Sequence, residues 1–585
     1  MKKIIILTIS ILAMSFAINN NLTHIQTTMT ENNKSNVNIV SANTSYLPNP
    51  TPLPLVGRTE VIGGTCYDWV NGPDFTWLVN DPANGIHVTW MWSNTEAMAD
   101  RNMRYNYYDW TTKAWSWIDA SNYMNSGIPV FPSAMSSVAG GSDIDPITGN
   151  FVISGMNTVG GVLANEIARD QAPGAGLFEY TQGISGYRWP AIAVTHNQAV
   201  HVAALDVPST ESLYYARVQP WNTWTSYIKI PPPAPDPTFP NINIAASKTS
   251  NKVIIVWEEA TPADAQDRAY YRLSTDGGAN WGASTQIPFP PSTGMLPSFG
   301  VSSLFAMFDN SDNFHIVASV ADTGHTMPAE IWHYCPTNTP VYSLIQHYEA
   351  ETLAAAVGYN AIFACRPTMV QNPSNGYLYV AWEQFDSLNY EPLTSLARAD
   401  IYVSESPNNG LTWQGKTRIT TPNTMSKRFP IAGGIQVTPS TSVPDTLLIM
   451  YMNDSIAGAF LQSQHRFCVN PMICHRVAVP IIGIEENNPI PKYYNFALMT
   501  PQPNPFKSYA NFEYSVPAQG NVSLIIHDVS GRVVKTLVSR EQPAGNYSVI
   551  WNGNNENNRP INSGVYFCTL QTKEKSITKK VIINR

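Results

Sequence analysis

The amino-acid sequence predicts an all-β chain: a β-propeller of about seven four-stranded blades, followed by a small Ig-like β-sandwich. Three observations predict this fold: the composition, a repeat of paired apolar strands, and a change of character near residue 499. Charged residues make up 13% of the 585 residues and aromatic residues 11%, alongside 45 Pro and 35 Gly. This composition is typical of short strands joined by turns, with aromatic side chains packed between sheets.

Residues 1–17 have the pattern of a secretory signal peptide. Lys2 and Lys3 precede an apolar run over residues 4–16, and Ser15 and Ala17 fit a signal-peptidase site. The run is shorter than the roughly 20 apolar residues of a membrane-spanning helix. The sequence therefore predicts a secreted or bacterial cell-surface protein with no transmembrane segment in the mature chain. Residues 18–54, rich in Asn, Thr, Ser and Pro, are predicted to form a flexible leader.

Residues 55–482 repeat a unit that starts at a proline. The prolines recur at an average interval of about 60 residues, at Pro73, Pro132, Pro190, Pro240, Pro297, Pro367 and Pro430. Each is predicted to open a short apolar strand. A stronger second strand follows at Ile86–Trp90, Phe151–Ser154, Val200–Ala203, Val253–Trp257, Phe314–Val317, Leu378–Trp382 and Leu447–Tyr451. Most units add a recognisable third strand and a short fourth one, as in propeller blades. Units two and seven fit least well, which leaves six or eight blades open.

Two short motifs carry a family resemblance. Residues 274–281 and 406–413 fit the pattern S-x-D-x-G-x-T-W, with Asn280 in place of Thr and Asn408 in place of Asp. They resemble the Asp-boxes, or BNR repeats, of sialidase-like propellers. The positions that match are Ser274, Asp276, Gly278, Trp281, Ser406, Asn408, Gly410 and Trp413. The resemblance implies a structural turn between strands three and four, away from any active site.

The resemblance also raises the question of sialidase activity. Enzymes of that family hold a carboxylate with three arginines and carry a Tyr–Glu pair and an acidic residue, and the usual first arginine motif is missing here. The nearest candidates for a ligand site at the channel mouth are Arg188 and Arg428, two residues before a proline, and Arg366, one residue before. The preferred interpretation is that each pairs with a nearby carboxylate. No catalytic residue is predicted, and activity is left open, with a non-catalytic role favoured.

Other residues with chemical potential fall at repeated positions. Glu258, Glu259 and Glu383 follow a second-strand Trp, and His87, His201 and His315 follow the first residue of a second strand, so both sets are interpreted as scaffold. Asp68 and Asp74 are the acidic candidates of the first blade. The six cysteines are scattered, which leaves disulfides and buried thiols open. Without a CxxC motif or paired Cys/His zinc spacing, no metal or cofactor is predicted. A net charge of −8 disfavours nucleic acid as a partner.

After a linker over residues 483–498, residues 499–585 carry alternating strands and a set of turn motifs. The motif residues are Asn504, Pro505, Phe506, Gly531, Arg532, Gly545, Trp551, Gly564, Tyr566, Lys579 and Lys580. Their order resembles the type A C-terminal sorting domain of the type IX secretion system, and the Ig-like domain of flagellar hook-capping proteins. This resemblance implies the secretion machinery as a partner.

Three functions are compatible with these observations. The favoured one is a non-catalytic propeller that binds a surface glycan or protein. The others are a sialidase-like glycoside hydrolase and a structural adhesion or surface-layer component. A convergent arginine trio at the channel mouth would favour the hydrolase, whereas an aromatic mouth would favour glycan binding, because sugars stack on aromatic faces.

Overall fold

The computed structural model describes residues 56–584, with gaps at 69–75, 136–139, 208–211, 234–240, 260–266, 289–296, 300–303, 323–324, 351, 439–442, 481–495, 502, 517–518, 543–544, 558 and 574. The predicted signal peptide and leader lie outside the described residues, as do Pro73, Asp74 and Pro240. The chain divides into two compact units, Met1–Ile482 and Gly483–Arg585.

The first unit is built from strands. Its described helices are two 3-10 turns, η1 (Tyr123–Asn125) and η2 (Phe460–Gln462). Across the described ranges, no helix of either unit has the length and apolar character needed to cross a membrane.

Seven antiparallel sheets, here called blades 1 to 7, follow one another along the first unit. Strand β1 (Arg58–Thr65) belongs to blade 7. Blades 1 to 3 contain β2 (Leu78–Asp81), β3 (Gly85–Trp92), β4 (Asn102–Asp109), β5 (Ala114–Trp115) and β6 (Ile128–Pro129); then β7 (Ser142–Ile144), β8 (Phe151–Val159), β9 (Val162–Asp170) and β10 (Phe178–Ser185); then β11 (Tyr187–Val194), β12 (Val200–Asp206), β13 (Leu213–Val218) and β14 (Ile228–Lys229).

Blades 4 to 7 continue the pattern. They contain β15 (Ile242–Ala246), β16 (Val253–Glu259), β17 (Arg268–Ser274) and β18 (Thr285–Gln286); then β19 (Pro297–Phe299), β20 (Phe305–Phe308), β21 (Phe314–Asp322), β22 (Ala329–Tyr334) and β23 (Tyr342–Tyr348); then β24 (Ala364–Gln371), β25 (Leu378–Tyr390), β26 (Ala397–Ser406) and β27 (Gln414–Arg418); then β28 (Ser426–Gln436), β29 (Asp445–Asp454) and β30 (Asn470–Val479). The predicted propeller is confirmed, and all seven predicted second strands are present.

The ring is closed by β1, the first of the described strands, which the sequence did not reveal. Strand β1 pairs antiparallel with β30 as the fourth strand of blade 7, from Arg58 opposite Arg476 to Thr65 opposite Asn470. The first strands of neighbouring blades contact each other all the way round, including β28 of blade 7 with β2 of blade 1. Blade 7 thus joins residues that are about 400 positions apart.

The strand order defines two faces. At the upper face, second strands connect to third strands and each blade connects to the next; at the lower face lie the other two turns of each blade. Arg188, Arg366 and Arg428 all lie near the upper ends of first strands, whereas the two Asp-boxes follow third strands and lie at the lower face.

Proline is not the regular strand opener that the sequence predicted. Pro297 does begin a strand, but Pro132 lies outside any strand, ahead of β7. Pro190, Pro367 and Pro430 lie inside first strands, at places where the ladder with the second strand shifts register. A bulge tolerates proline because the extra residue is unpaired, so no ladder hydrogen bond is lost.

The repeated histidines pack inside the blades. His87 Nδ1 lies 2.8 Å from Tyr105 Oη, and His201 Nδ1 lies 2.7 Å from Tyr215 Oη. Burial lowers the pKa of both histidines to about 3, so the rings are neutral. His315 differs: burial opposes its charged form, but Asp309 and Cys335 raise its pKa to about 8. All three are fully buried and lie among packed side chains.

The Asp-boxes join neighbouring blades through their glycines. In the first box, Gly278 N donates to Ser274 Oγ at 2.9 Å and Asn280 N donates to Asp276 Oδ1 at 2.9 Å. Gly278 has φ +81°, and a Cβ there would lie 1.8 Å from Oη of Tyr215, in blade 3. The ring centroids of Trp281 and Tyr215 are 4.9 Å apart, although Trp281 is only half-buried.

The second box repeats this arrangement against blade 5. Gly410 N donates to Ser406 Oγ at 2.8 Å, and Thr412 N donates to Asn408 Oδ1 at 2.9 Å. A Cβ on Gly410 would lie 2.1 Å from the His333 ring. The centroids of the His333 and Trp413 rings are 5.4 Å apart. Each box thus fits its glycine into a space that the preceding blade leaves.

The second unit is a two-sheet sandwich. One sheet contains β31 (Ala497–Leu498), β32 (Ala510–Val516) and β35 (Gly545–Trp551), and the other contains β33 (Gly520–His527), β34 (Val533–Gln542), β36 (Gly564–Gln571) and β37 (Ser576–Ile583). Phe506 and Trp551 are buried together in its core, with ring centroids 5.6 Å apart.

Several tail motif residues have direct structural contacts. Asn504 Nδ2 donates to the Lys580 carbonyl at 2.9 Å, and Ile582 N donates back to Asn504 Oδ1 at 2.8 Å, which holds the last strand.

The other motif residues lie in turns and on strands. Arg532 is exposed and pairs with Asp528 at 3.1 Å, in a turn where Gly531 has φ +83°. Tyr566 Oη donates to the Asn562 carbonyl at 2.9 Å. Pro505 lies between Asn504 and Phe506, Gly545 and Gly564 begin strands, and Lys579 and Lys580 lie on β37, with Lys580 exposed.

We predict that Gly278→Ala destabilises the propeller by about 1–3 kcal/mol more than Gly277→Ala. Both glycines have positive φ, but a Cβ on Gly277 would come no nearer than 3.6 Å to Arg217 Nη1. The difference between the variants in urea unfolding therefore measures the clash with Tyr215. Equal unfolding free energies would show that the tyrosine moves aside without cost.

Candidate ligand site at the upper face

Three first strands share an unusual backbone conformation at the upper face. Trp189, Arg366 and Phe429 each precede a proline and have φ values of 52°, 53° and 59°. Side chains of this size rarely adopt such φ angles, so the surrounding packing must hold them. Arg366 is one residue closer to its proline than Arg188 and Arg428 are to theirs. It therefore occupies the backbone position of Trp189 and Phe429. Cys365 occupies the backbone position of the other two arginines.

Arg366 and Arg428 meet at one carboxylate. Arg366 Nη1 donates to Glu383 Oε1, and Arg428 Nε donates to Glu383 Oε2 at 3.3 Å. The Phe429 N–H adds a bond of 2.8 Å to Oε2, and the Cys365 thiol donates to Oε1 at 3.3 Å. Glu383 belongs to blade 6 and Arg428 to blade 7, so this cluster joins two blades.

The cluster is closed to solvent. Glu383 is 0% exposed, Arg428 3% and Arg366 5%. Both guanidinium groups lie over the Phe429 ring, at 4.9 Å for Arg366 and 4.7 Å for Arg428. Burial opposes ionisation of Glu383, but Arg428 and Arg366 hold its pKa below the usual value. The preferred interpretation, in which each arginine pairs with a nearby carboxylate, therefore fits Arg366 and Arg428, which share Glu383 and are closed to solvent.

Arg188 has a different environment. Its guanidinium lies over the ring of its own neighbour Trp189, 4.3 Å from the centroid, and both residues are half-buried. Trp189 N donates to Met156 Sδ at 2.9 Å. The corresponding N–H in blade 7, that of Phe429, donates to Glu383 instead. A methionine of blade 2 thus takes the place of the acid that binds Arg428. Among the three candidate arginines, Arg188 is the one that is half-buried, whereas Arg366 and Arg428 are buried.

The remaining acidic candidates are fixed by the scaffold. Glu259 Oε1 accepts a bond of 2.7 Å from the Trp257 indole N–H, and the Glu258 N–H donates to the Asn241 carbonyl at 3.0 Å. Both glutamates are buried.

Asp68 takes part in a cluster that the sequence did not reveal. Its Oδ2 accepts a bond of 2.7 Å from Phe460 N and lies 3.2 Å from His465 Nε2. Burial opposes the charged form of His465, but Asp68 and Cys468 raise its pKa to about 10. Asp454 is buried nearby, and burial raises its pKa to about 8 although Arg428 opposes the rise. Asp68 precedes these residues by nearly 400 positions, so only the closed ring brings them together.

All six cysteines lie in the described part of the chain, and none of them forms a disulfide. Five are buried and Cys468 is half-buried. Of the two alternatives that the sequence left open, the structure therefore has free thiols.

One family model matches part of the second unit. Residues 507–576 match the family described as the FlgD Ig-like domain. No curated protein matches the chain.

Solved structures similar to the chain include polysaccharide-degrading enzymes. A PL25 ulvan lyase bound to -[GlcA(1-4)Rha3S]- is 10% identical, covers 70% of this chain and 100% of its own, and has a TM-score of 0.44. The α-L-arabinanase of Penicillium chrysogenum, at 12% identity, covers 58% and 93% with a TM-score of 0.33. A Hadza microbial sialidase, also at 12%, covers 65% and 74% with a TM-score of 0.32. At these identities and TM-scores, the three structures carry no argument about the chemistry of this chain.

We predict that Glu383→Gln lowers the free energy of unfolding by about 3–5 kcal/mol, because it leaves two buried arginines without their counter-charge. The control is Glu349→Gln, which removes an exposed carboxylate 3.9 Å from His347 and should cost at most about 1 kcal/mol. Chemical denaturation of both variants provides the measurement. Equal effects of the two substitutions would contradict the pairing described here.

Proposed function

We propose that this chain is an exported, non-catalytic propeller that binds acidic glycans at the upper face, through Arg188 and Trp189. The observation that carries the proposal is the contrast between the candidate arginines. Arg366 and Arg428 are buried on Glu383, whereas Arg188 is half-buried, with its guanidinium 4.3 Å from the centroid of the Trp189 ring. A sialidase-like grip needs several arginines aimed at one substrate carboxylate, and two of the three here point inward.

The chemistry of the Arg188–Trp189 pair suits an anionic sugar. A guanidinium offers a planar fork of N–H donors that matches a carboxylate or sulfate group. Stacking on Trp189 limits the motion of the Arg188 side chain, so less conformational entropy is lost when an anion binds. The indole edge adds an apolar surface next to the charge, which is the combination that a charged sugar ring presents to a protein.

We predict that Arg188→Ala weakens binding of a sulfated or uronate-containing oligosaccharide at least tenfold, equivalent to about 1.4 kcal/mol. Arg188→Lys should fall between wild type and the alanine variant, because it keeps the charge and loses the fork. Arg169 is a matched control, since its guanidinium lies 4.2 Å from the Trp221 ring, in a pair on the lower half of the molecule. Arg169→Ala should leave affinity unchanged in isothermal titration calorimetry.

The same proteins separate binding from catalysis. On sialoside substrates we expect no turnover by wild type or by Arg188→Ala. Turnover that the substitution abolishes would contradict the non-catalytic assignment. Failure of every acidic oligosaccharide to bind, or equal loss in the Arg169→Ala control, would contradict the proposed site.

We further propose that the C-terminal sandwich is a sorting domain read by the secretion machinery. The support is the Ig-like fold, its match over residues 507–576, and an ordered last strand that presents Lys580 to solvent. The compactness of the two units supports a tail that is separate from the propeller core.

We predict that deletion of residues 499–585 leaves a folded propeller in the periplasm. The deleted segment contributes no strand to blades 1 to 7, so the remaining chain keeps all its described sheets. Cell fractionation and limited proteolysis of the truncated protein would test this. Truncated protein found at the cell surface would show that the address lies elsewhere.

A further inference from the structure

We propose that Asp68, His465 and Cys468 form a binding site for a zinc-like transition-metal ion at the seam where the ring closes. The carboxylate oxygen of Asp68, an imidazole nitrogen of His465 and the thiol sulfur of Cys468 all lie within 4.8 Å of one another. Tetrahedral ligands at about 2.0–2.3 Å from a zinc ion are about 3.3–3.8 Å apart, so small side-chain movements complete the geometry.

The histidine is set up as a metal ligand. His465 Nδ1 donates to the Arg466 carbonyl at 2.7 Å, which leaves Nε2 directed at the cluster. Although Nε2 lies 3.2 Å from Asp68 Oδ2, it is buried and has no well-aligned hydrogen-bond partner. Metal-bound histidines usually donate their other N–H to a carbonyl or carboxylate in this way, because that bond fixes the tautomer and the ring orientation.

The other ligands are also supported from outside the cluster. Asp68 accepts backbone bonds from Phe460 N at 2.7 Å and from Leu461 N at 3.5 Å, which orient its carboxylate. A water molecule would supply the fourth position of the tetrahedron.

The donor set selects the metal. One thiolate, one imidazole and one carboxylate suit Zn²⁺ or Co²⁺, whereas Mg²⁺ and Ca²⁺ prefer oxygen ligands alone. Half-buried Cys468 gives the ion a path from solvent to the cluster.

Blade 5 shows why this cluster differs from an ordinary buried histidine. There His315, Asp309 and Cys335 are also close neighbours, but both ring nitrogens of His315 have partners: Nδ1 lies 2.9 Å from His333 Nε2, and Nε2 lies 3.2 Å from Asp309 Oδ2. The Nε2 of His315 is therefore held in a hydrogen bond, whereas the Nε2 of His465 is not. This cluster therefore provides a matched control.

The position of the site indicates its role. Asp68 follows β1, the strand that begins the ring, and His465 and Cys468 lie between β29 and β30, which end it. A bound ion would hold the two ends of the propeller together and stabilise the closed ring, since a metal that binds only the folded state adds its binding free energy to folding.

The experiment uses the full-length protein, stripped with a chelator and then titrated with Zn²⁺ and, separately, with Co²⁺. We expect about one equivalent of zinc per chain by mass spectrometry of the gel-filtered protein, a raised thermal midpoint, and a thiolate-to-Co²⁺ charge-transfer band. Cys468→Ser should abolish the Co²⁺ band and weaken zinc binding at least tenfold, and Asp68→Asn and His465→Gln should weaken it similarly. Cys335→Ser should behave as wild type.

Several results would overturn the proposal. Wild-type protein that retains no zinc after gel filtration would show that Asp68 and His465 form only an ion pair. Retention by Cys468→Ser, or loss in Cys335→Ser, would place the metal elsewhere. Because Cys468 is half-buried and serine is nearly isosteric, this variant should fold, and its thermal midpoint without metal provides the check. The wild-type titration stands even if the Asp68 and His465 variants fail to fold.

Discussion

The pairing of β1 with β30 is the constraint on which the rest of the propeller depends. Without it, blade 7 would have three strands and an open edge, and blade 1 would lose a packed neighbour. Side chains reinforce the pairing on both sides: Arg476 Nε donates to Glu60 Oε2 at 3.1 Å, and the Trp90 indole of blade 1 donates to the Gly64 carbonyl at 3.1 Å. One strand therefore links the first blade to the last.

Closure also determines the chemistry of the upper face. Blade 7 contributes Arg428 to the carboxylate of blade 6, and its loop meets Asp68 from the start of the ring. The contact with Glu383 puts the charge of Arg428 into a closed interior, where it is withdrawn from a glycan at the upper face. Blade 3 has Met156 at the position of that carboxylate, and its Arg188 is half-buried beside the Trp189 ring. A similar backbone bulge thus positions a buried structural arginine, Arg428, in blade 7 and a candidate binding residue, Arg188, in blade 3.

The sequence predicts the propeller, its second strands and the turn position of the boxes, because these depend on local signals: alternation, Gly and Asn turns, and a repeated spacing. Ring closure was not predictable, since the segment around Arg58 has no mark that assigns it to blade 7. Pairing of Arg366 and Arg428 with a carboxylate was expected, but their shared partner Glu383 was not identified, because contacts between blades define it. The cluster of Asp68 with His465 and Cys468 was missed for the same reason, although the His-x-x-Cys spacing is a local signal that could have suggested it. Pro132 shows the opposite error: the proline repeat predicted that it opens a strand, but it lies outside any strand.

Hydrogen–deuterium exchange of the full-length protein tests ring closure most directly. If β1 is an integral strand of blade 7, amides in Arg58–Thr65 should exchange as slowly as those of β29 and β30, through opening of the whole propeller. Peptides covering β1 would then show the same protection as the blade 7 peptides at every time point. Exchange of β1 at the rate of a frayed terminus, with β30 still protected, would show that the ring is not held by this strand and would contradict the account.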